Sequence, residues 1–444
     1  MRPLGIQTDN LLEPPAASLL LGMETVPAPG SAPPVPHAPM TRFFGKLLAP
    51  MSLLVLISAC RESSAEDGEW RGTVETLASG VEHVRNPAAG IWGEDGGWSI
   101  VEVMRIGALE SQGPEQFGDV RAVEIDLLGR IYVLDSQARE VRVFDADGGH
   151  VRSFGREGGG PGEFGQPSAL LWGPDRNLWV VDQGNARFSV FDTTGTFVTS
   201  HPRPGGIMML PWPGGFDDQG NLYDVAIGGG GPPERGGPRG PPQFSLARFD
   251  ANLQPTDTFT IPQRRAETFE LRSANRIMAM GVPFAPRMAW RLSPQGDIWM
   301  GMNDQYRLNR VTFAGDTVRI VEREFEPVEV TEADRAEALE GLGNFIEQGG
   351  VVDERKIPTV KPAYRRFSVD EDGYLWVRPS AAPDEEDVVF DIFDPEGRYL
   401  GRARSEMPIE PEAPFLVRGN SVVAVTEDEL GVSYVVLARI KGRE

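Results

Sequence analysis

The chain has 444 residues, 40% of them hydrophobic, and its 52 glycines and 38 prolines suit a large turn-rich domain with a sizeable core, which excludes a disordered chain. A formal net charge of −22 opposes phosphate backbones, whose neutralisation needs clustered Lys and Arg, so nucleic acid is excluded as an expected partner.

Residues 1–39 are rich in Pro and Ala, carry Asp9, Glu13 and Glu24, and fit no targeting pattern. They read as an extension left by a start codon placed too early, with Met40 as the initiator. Residues 40–59 then form a secretory signal: Arg42 and Lys46 precede a short apolar run that ends on the small residues Ser58 and Ala59. Its ending, Ile57-Ser-Ala-Cys60, resembles a bacterial lipobox, and the resemblance implies a lipid on Cys60 after removal of everything before it. The run is too short to cross and hold a bilayer, so the expectation is a protein anchored to the membrane on the extracytoplasmic side of a bacterial envelope. Arg61 is not the Asp that marks inner-membrane retention in some bacteria, and by resemblance the outer membrane is preferred. Losing residues 1–59 removes Arg2, Arg42 and Lys46 against Asp9, Glu13 and Glu24, so the mature charge stays at −22. Residues 60–69 form a tether and 70–97 a segment ahead of the repeats.

Residues 98–444 carry a repeat. The apolar run ending at Asp135, then Val141-Arg-Val-Phe-Asp145 and Gly148, return as the run ending at Asp182, then Phe188-Ser-Val-Phe-Asp192 and Gly195, each 47 residues later. A fixed period of this length, built from short apolar runs and Gly/Asp turns, predicts one β-propeller blade per repeat. The strand recurs at Ile131, Leu178, Leu222, Ile298, Leu375 and Val422, each after a Gly- or Asn-bearing turn suited to a tight hairpin, which predicts six blades. At the end of the chain the sixth repeat lacks an outer strand. Near the start, Val103-Met-Arg-Ile-Gly107 matches the outer strand Val151-Arg-Ser-Phe-Gly155 yet has no blade of its own. Pairing it with the last three strands would close the ring and remove its open edges.

Gly160-Pro-Gly-Glu-Phe164, the run Ile131-Tyr-Val-Leu-Asp135 and the Val-Phe-Asp-x-x-Gly turn resemble the NHL-type six-bladed β-propellers, including their bacterial lipoprotein group. The resemblance covers roughly residues 98–440, is strong in the first two repeats, and implies the fold but little chemistry.

The aromatics Tyr132, Trp179, Tyr223, Trp299 and Trp376 recur at one strand position and read as packing between blades; Asp135 and Asp182 read as turn formers. The repeat spacing widens to 76 residues between Leu222 and Ile298 and to 77 between Ile298 and Leu375, so the middle blades carry insertions. Residues 228–242 and 380–387 fall in loops joining the second to the third strand of a blade, and 326–364 joins two blades. In a four-stranded blade both loop types emerge at the same end, where function on scaffolded folds concentrates. Inside the longest insertion, residues 331–347 predict a helix, with Thr331 as N-cap, Asp334 three residues on, and an apolar stripe of Ala336, Leu339, Leu342, Phe345 and Ile346. It lies either across or beside the channel mouth as a lid, or on the rim with no ligand role.

Catalytic patterns are sparse. His83, His150 and His201 are scattered, no G-x-S-x-G elbow is present, and the glycine runs lack a Walker lysine. The reading is a binding or protein-interaction module, expected as a monomer without a cofactor, that takes a protein, peptide or glycan ligand through Gln137, Arg139, Gln183, Asn185, Arg187, Asn303, Gln305 and Arg307. The alternative is a hydrolase, lactonase or lyase that holds calcium in the central channel, with Asp224, Asn303 and Asp304 as candidate ligands.

Overall fold

A computed structural model of the chain describes residues 68–93, 96–108, 113–204, 212–228, 243–262, 267–273, 276–381, 387–410 and 413–443. The N-terminal extension, the signal segment and Cys60 lie outside the described residues, as does nearly all of the 228–242 insertion and most of 380–387. No helix among the described residues is long and apolar enough to cross a membrane.

The fold is all-β. Strands β1 (Thr73–Thr76), β2 (Glu82–Asn86) and β3 (Ser99–Ile106) precede the first four-stranded antiparallel sheet, β4 (Val120–Ile125), β5 (Ile131–Asp135), β6 (Glu140–Phe144) and β7 (His150–Phe154). The second sheet is β8 (Pro167–Trp172), β9 (Leu178–Asp182), β10 (Arg187–Phe191) and β11 (Phe197–Pro202); the third is β12 (Gly215–Phe216), β13 (Leu222–Gly228), β14 (Gln243–Phe249) and β15 (Pro255–Thr260). A hairpin, β16 (Thr268–Ser273) and β17 (Arg276–Gly281), intervenes before the fourth, β18 (Met288–Leu292), β19 (Ile298–Met302), β20 (Arg307–Val311) and β21 (Thr317–Arg323). Helices α1 (Glu332–Gly341) and α2 (Gly343–Glu347) lead to β22 (Tyr364–Val369), β23 (Leu375–Pro379), β24 (Val388–Phe393) and β25 (Tyr399–Ser405). The chain ends with β26 (Phe415–Arg418), β27 (Ser421–Glu427) and β28 (Ser433–Lys441).

These sheets are the blades of a propeller. Their first strands face one another, β4 against β8 and β26, β8 against β12, and β18 against β22, which puts the first strand of each blade innermost. The second strands β5, β9, β13, β19 and β23 begin where the repeat places them, and β27 begins one residue earlier. Strand β5 is apolar up to its closing Asp135 because it is buried on both faces. Ile131 and Val133 pack with Val423, Val435 and Leu437 of the last blade, whereas Tyr132 and Leu134 pack with Leu170, Leu178 and Val180 of the second. Each such side chain contributes roughly 1.5–3 kcal/mol on burial.

Three of the turns that open second strands, those before β5, β13 and β23, share one design. Asp126 Oδ1 accepts from the amides of Leu128 and Arg130, both at 2.9 Å, and Asp217 Oδ1 from those of Gln219 and Asn221 at 2.9 and 2.8 Å. The second carboxylate oxygen reaches the recurring aromatic: Tyr132 Oη donates to Asp126 at 3.3 Å, Tyr223 Oη to Asp217 at 2.9 Å, and Trp376 Nε1 to Asp370 at 3.0 Å. Tyr132, Tyr223 and Trp376 are therefore packing groups that also anchor a turn, whereas Trp179 and Trp299 are buried in apolar clusters, Trp179 with its Nε1 unpartnered among the described residues. Gly129 and Gly220, at φ +77° and +79°, take the left-handed position that these turns require.

Residues 70–93 and 96–106 run as a strap along blade edges. Strand β2 adds parallel to β21, from Glu82 opposite Arg319 to Asn86 opposite Arg323, and β1 pairs with β2. Asn86 is buried and uses its whole amide: Oδ1 accepts from Trp70 Nε1 at 2.9 Å and from the Tyr399 amide at 2.7 Å, while Nδ2 donates to the carbonyls of Glu322 at 3.0 Å and Gly397 at 2.9 Å. The Trp92 amide then donates to the Leu400 carbonyl, and β3 pairs antiparallel with β28, from Ile106 opposite Val435 to Ser99 opposite Lys441. The repeat offers no sign of β1 and β2, which belong to no blade of their own.

Candidate functional site

Strands alternate in direction, so the loops joining second to third strands and those joining consecutive blades emerge at one end of the propeller. Both elaborated links described in the structure meet there. Helix α1 starts as its sequence predicts, with a capping box in which Thr331 Oγ1 accepts from the Asp334 amide at 3.1 Å and Asp334 Oδ2 accepts from the Thr331 amide at 2.8 Å. It is shorter than 331–347: Gly341 and Gly343 flank Leu342, where the helix breaks and α2 begins. Leu342 and Phe345 are buried against Phe269, Val282 and Ala285 of the β16–β17 link, with Leu339 half-buried beside them, while Ile346 stays exposed. Two insertions from different inter-blade links thus share one apolar core and form a cap.

Arg287 leaves the cap for strand β18, and a Cβ at Gly281, the end of β17, would come within 3.1 Å of its Nη2. Asn303 ties this point to the next blade: its Oδ1 accepts from the Arg287 amide at 2.6 Å, its Nδ2 donates to the Tyr364 carbonyl at 2.9 Å, and its carbonyl accepts from the Ala363 amide at 2.7 Å. Arg287 and Arg365 therefore stand at the heads of adjacent inner strands. Both are exposed, and neither side chain has an acidic partner among the described residues. The sequence signal for them is slight, a proline-led run into an inner strand (Pro286-Arg287 and Pro362-Ala-Tyr-Arg365).

The eight ligand-face candidates share this end but differ in what they do. Asn185 Nδ2 donates to the Gly158 carbonyl at 2.9 Å and to Asp182 at 2.6 Å; Arg187 donates to the carbonyls of Gly159, Gly160 and Glu163 at 3.1, 2.7 and 2.8 Å. Gln183 donates to Ser168 Oγ at 2.7 Å. Asp135 and Asp182 are buried and accept backbone amides from the neighbouring loops, the turn-forming role their sequence suggests. Gln137 is exposed over Gly118, and Arg139 pairs with Glu157 beside a cavity of about 290 Å³ lined by Asp119, Arg121, Ser136 and Gln166.

Gln305 and Arg307 line a larger cavity, about 430 Å³, between the strap and the fourth blade. Arg307 Nη1 donates to Glu322 Oε1 at 2.8 Å, and His83 Nε2 lies 2.8 Å from Glu322 Oε2. Arg323 and Tyr306 also line it, and both reach the buried Asp391: Tyr306 Oη donates at 2.5 Å, Arg323 Nη1 at 3.2 Å, and Tyr399 Oη at 2.8 Å from the other side. Burial, then the Asp391 charge, raises both phenols above their ordinary range, so they remain neutral donors.

Asp224, a candidate ion ligand, accepts from Arg203 at 2.9 and 2.8 Å and from Trp212 Nε1 at 2.8 Å, fully buried. Asn303 is committed to backbone groups as described, and Asp304 sits near enough to Tyr364 to help burial raise that phenol. Among the described residues no three His, Cys, Asp or Glu side chains gather in a group that could hold a metal ion.

Over residues 98–204 the sequence matches DUF5128, a family described as a 6-bladed beta-propeller. No curated protein matches the chain. Solved structures resemble it distantly: a DUF4221 family member from Bacteroides vulgatus, at 11% identity and TM-score 0.46 over 78% of this chain and 98% of that one, and virginiamycin B lyase from Staphylococcus aureus, at 8% identity and TM-score 0.38 over 77% and 99%. A gluconolactonase from Xanthomonas campestris has 11% identity and TM-score 0.37 over 73% and 86%. At these scores the activities of the lyase and the lactonase carry no weight for this chain.

Proposed function

We propose that this protein is a lipid-anchored, extracytoplasmic binding module of the NHL type, a six-bladed ring closed by β3, whose cap-bearing face takes a protein, peptide or glycan partner. One observation carries the reading: Arg287 and Arg365 stand exposed, without carboxylate partners among the described residues, at the foot of a folded cap, in a chain of net charge −22. The blades need no such cap for their own packing. Unpaired guanidinium groups on an otherwise acidic protein select an anionic partner and repel basic ones.

The purified domain from Gly68 onward, probed on a panel of peptides and glycans, is expected to retain ligands rich in carboxylate or sulfate, and the double variant Arg287→Glu, Arg365→Glu to lose them. Equal retention by the double variant contradicts the assignment of the face. For the anchor, labelling with a fatty acid is expected in the wild type and lost in Cys60→Ser; equal labelling refutes it.

A further inference from the structure

The cavity between strap and fourth blade has lining charges of both signs, and most of them are spent. Arg307 is paired with Glu322, Arg323 with Asp391, and Arg85 with Glu75 at 2.9 Å. Two remain. Arg71, next to the start of β1, and Glu324, just past the end of β21, both line the cavity, both are exposed, and neither has a side-chain partner among the described residues. They are not paired with each other, so the cavity holds a fixed positive and a fixed negative charge apart. Gln305 adds an exposed amide to the same lining.

A simple anion would satisfy Arg71 and leave Glu324 unanswered, and a simple cation would do the reverse. A ligand carrying a carboxylate and an ammonium group a few ångströms apart answers both. We infer that this cavity is a binding site for a small zwitterion of the amino-acid or short-peptide class, with the carboxylate on Arg71 and the ammonium on Glu324. A volume of about 430 Å³ lies at the small end of ligand pockets, which are typically about 300–1,000 Å³. The strap supplies Arg71 and blade four supplies Glu324, so the site exists only where β2 is zipped onto β21. It is separate from Arg287 and Arg365 and stands or falls independently of the cap-face reading.

Calorimetric titration of the purified domain with dialanine, up to about 10 mM, tests it. The expected result is saturable binding in the wild type that weakens about tenfold in Arg71→Met, about tenfold in Glu324→Gln, and similarly when the ligand is N-acetylated or C-amidated, since each change removes one charge-assisted hydrogen bond. Both side chains are exposed, so unchanged melting of the unliganded variants will show that the fold is intact. Absence of saturable binding in the wild type overturns the inference, and so does binding that is indifferent to capping or to either substitution.

Discussion

Glu124, on the innermost strand of the first blade, is buried, and its Oε2 has no hydrogen-bond partner. Arg418 Nη1 stands 3.4 Å from that oxygen but donates instead to the Ile125 carbonyl at 2.7 Å. Burial therefore outweighs the neighbouring cation and pushes the carboxyl up to about 7. Because the folded value lies above the unfolded one, the folded state keeps a proton that the unfolded chain has already lost between about pH 4.5 and 7. The resulting stability is whole below the unfolded value and disappears as pH rises through about 7, an effect of about 3 kcal/mol. Glu124→Gln should thus melt close to the wild type at pH 5 and several degrees above it at pH 8; a difference that is flat across this range contradicts the account. At this scale the sequence was legible only in part. Asp135 and Asp182 announce themselves as turn formers by position, but the pattern cannot separate a polar loop residue that meets a ligand from one, such as Arg187 or Asn303, that stitches backbone, because both must be polar and near a turn. Arg287 and Arg365 are recognisable only once the described residues show no acid paired with them.

Elements with a period are legible in the sequence, and those without one are not. Second strands fall on their repeat positions because burial on both faces forces an apolar run and the Asp/Gly turn fixes where it begins. The helix was readable from its capping box, while its break at Leu342 follows from two glycines that a stripe of apolar residues conceals. Hairpin β16–β17 escaped notice because it shares the 76-residue interval with the 228–242 insertion, and one excess of length looks like one insertion. Strands β1 and β2 escaped for a related reason: β1 is exposed throughout, and β2 pairs with a strand more than 230 residues away, so neither leaves a local pattern.

For the whole molecule, the repeat specifies a propeller and leaves the partner unspecified, since the residues that recur are those that hold blades together. Chain is invested unequally at the two ends. The turns around Leu128 and Thr194 are tight and close on their own aspartates, Asp126 and Asp192, whereas the other end carries the cap, both cavities, and Arg287 and Arg365. That asymmetry is the central claim, and face-resolved photo-crosslinking in the native envelope tests it most directly. With a photoreactive phenylalanine placed singly at Glu340 or Ile346, exposed on the cap helices, and at Leu128 or Thr194 on the opposite side, discrete adducts are predicted from the first pair alone. Adducts confined to Leu128 or Thr194, or none from any position, would contradict it.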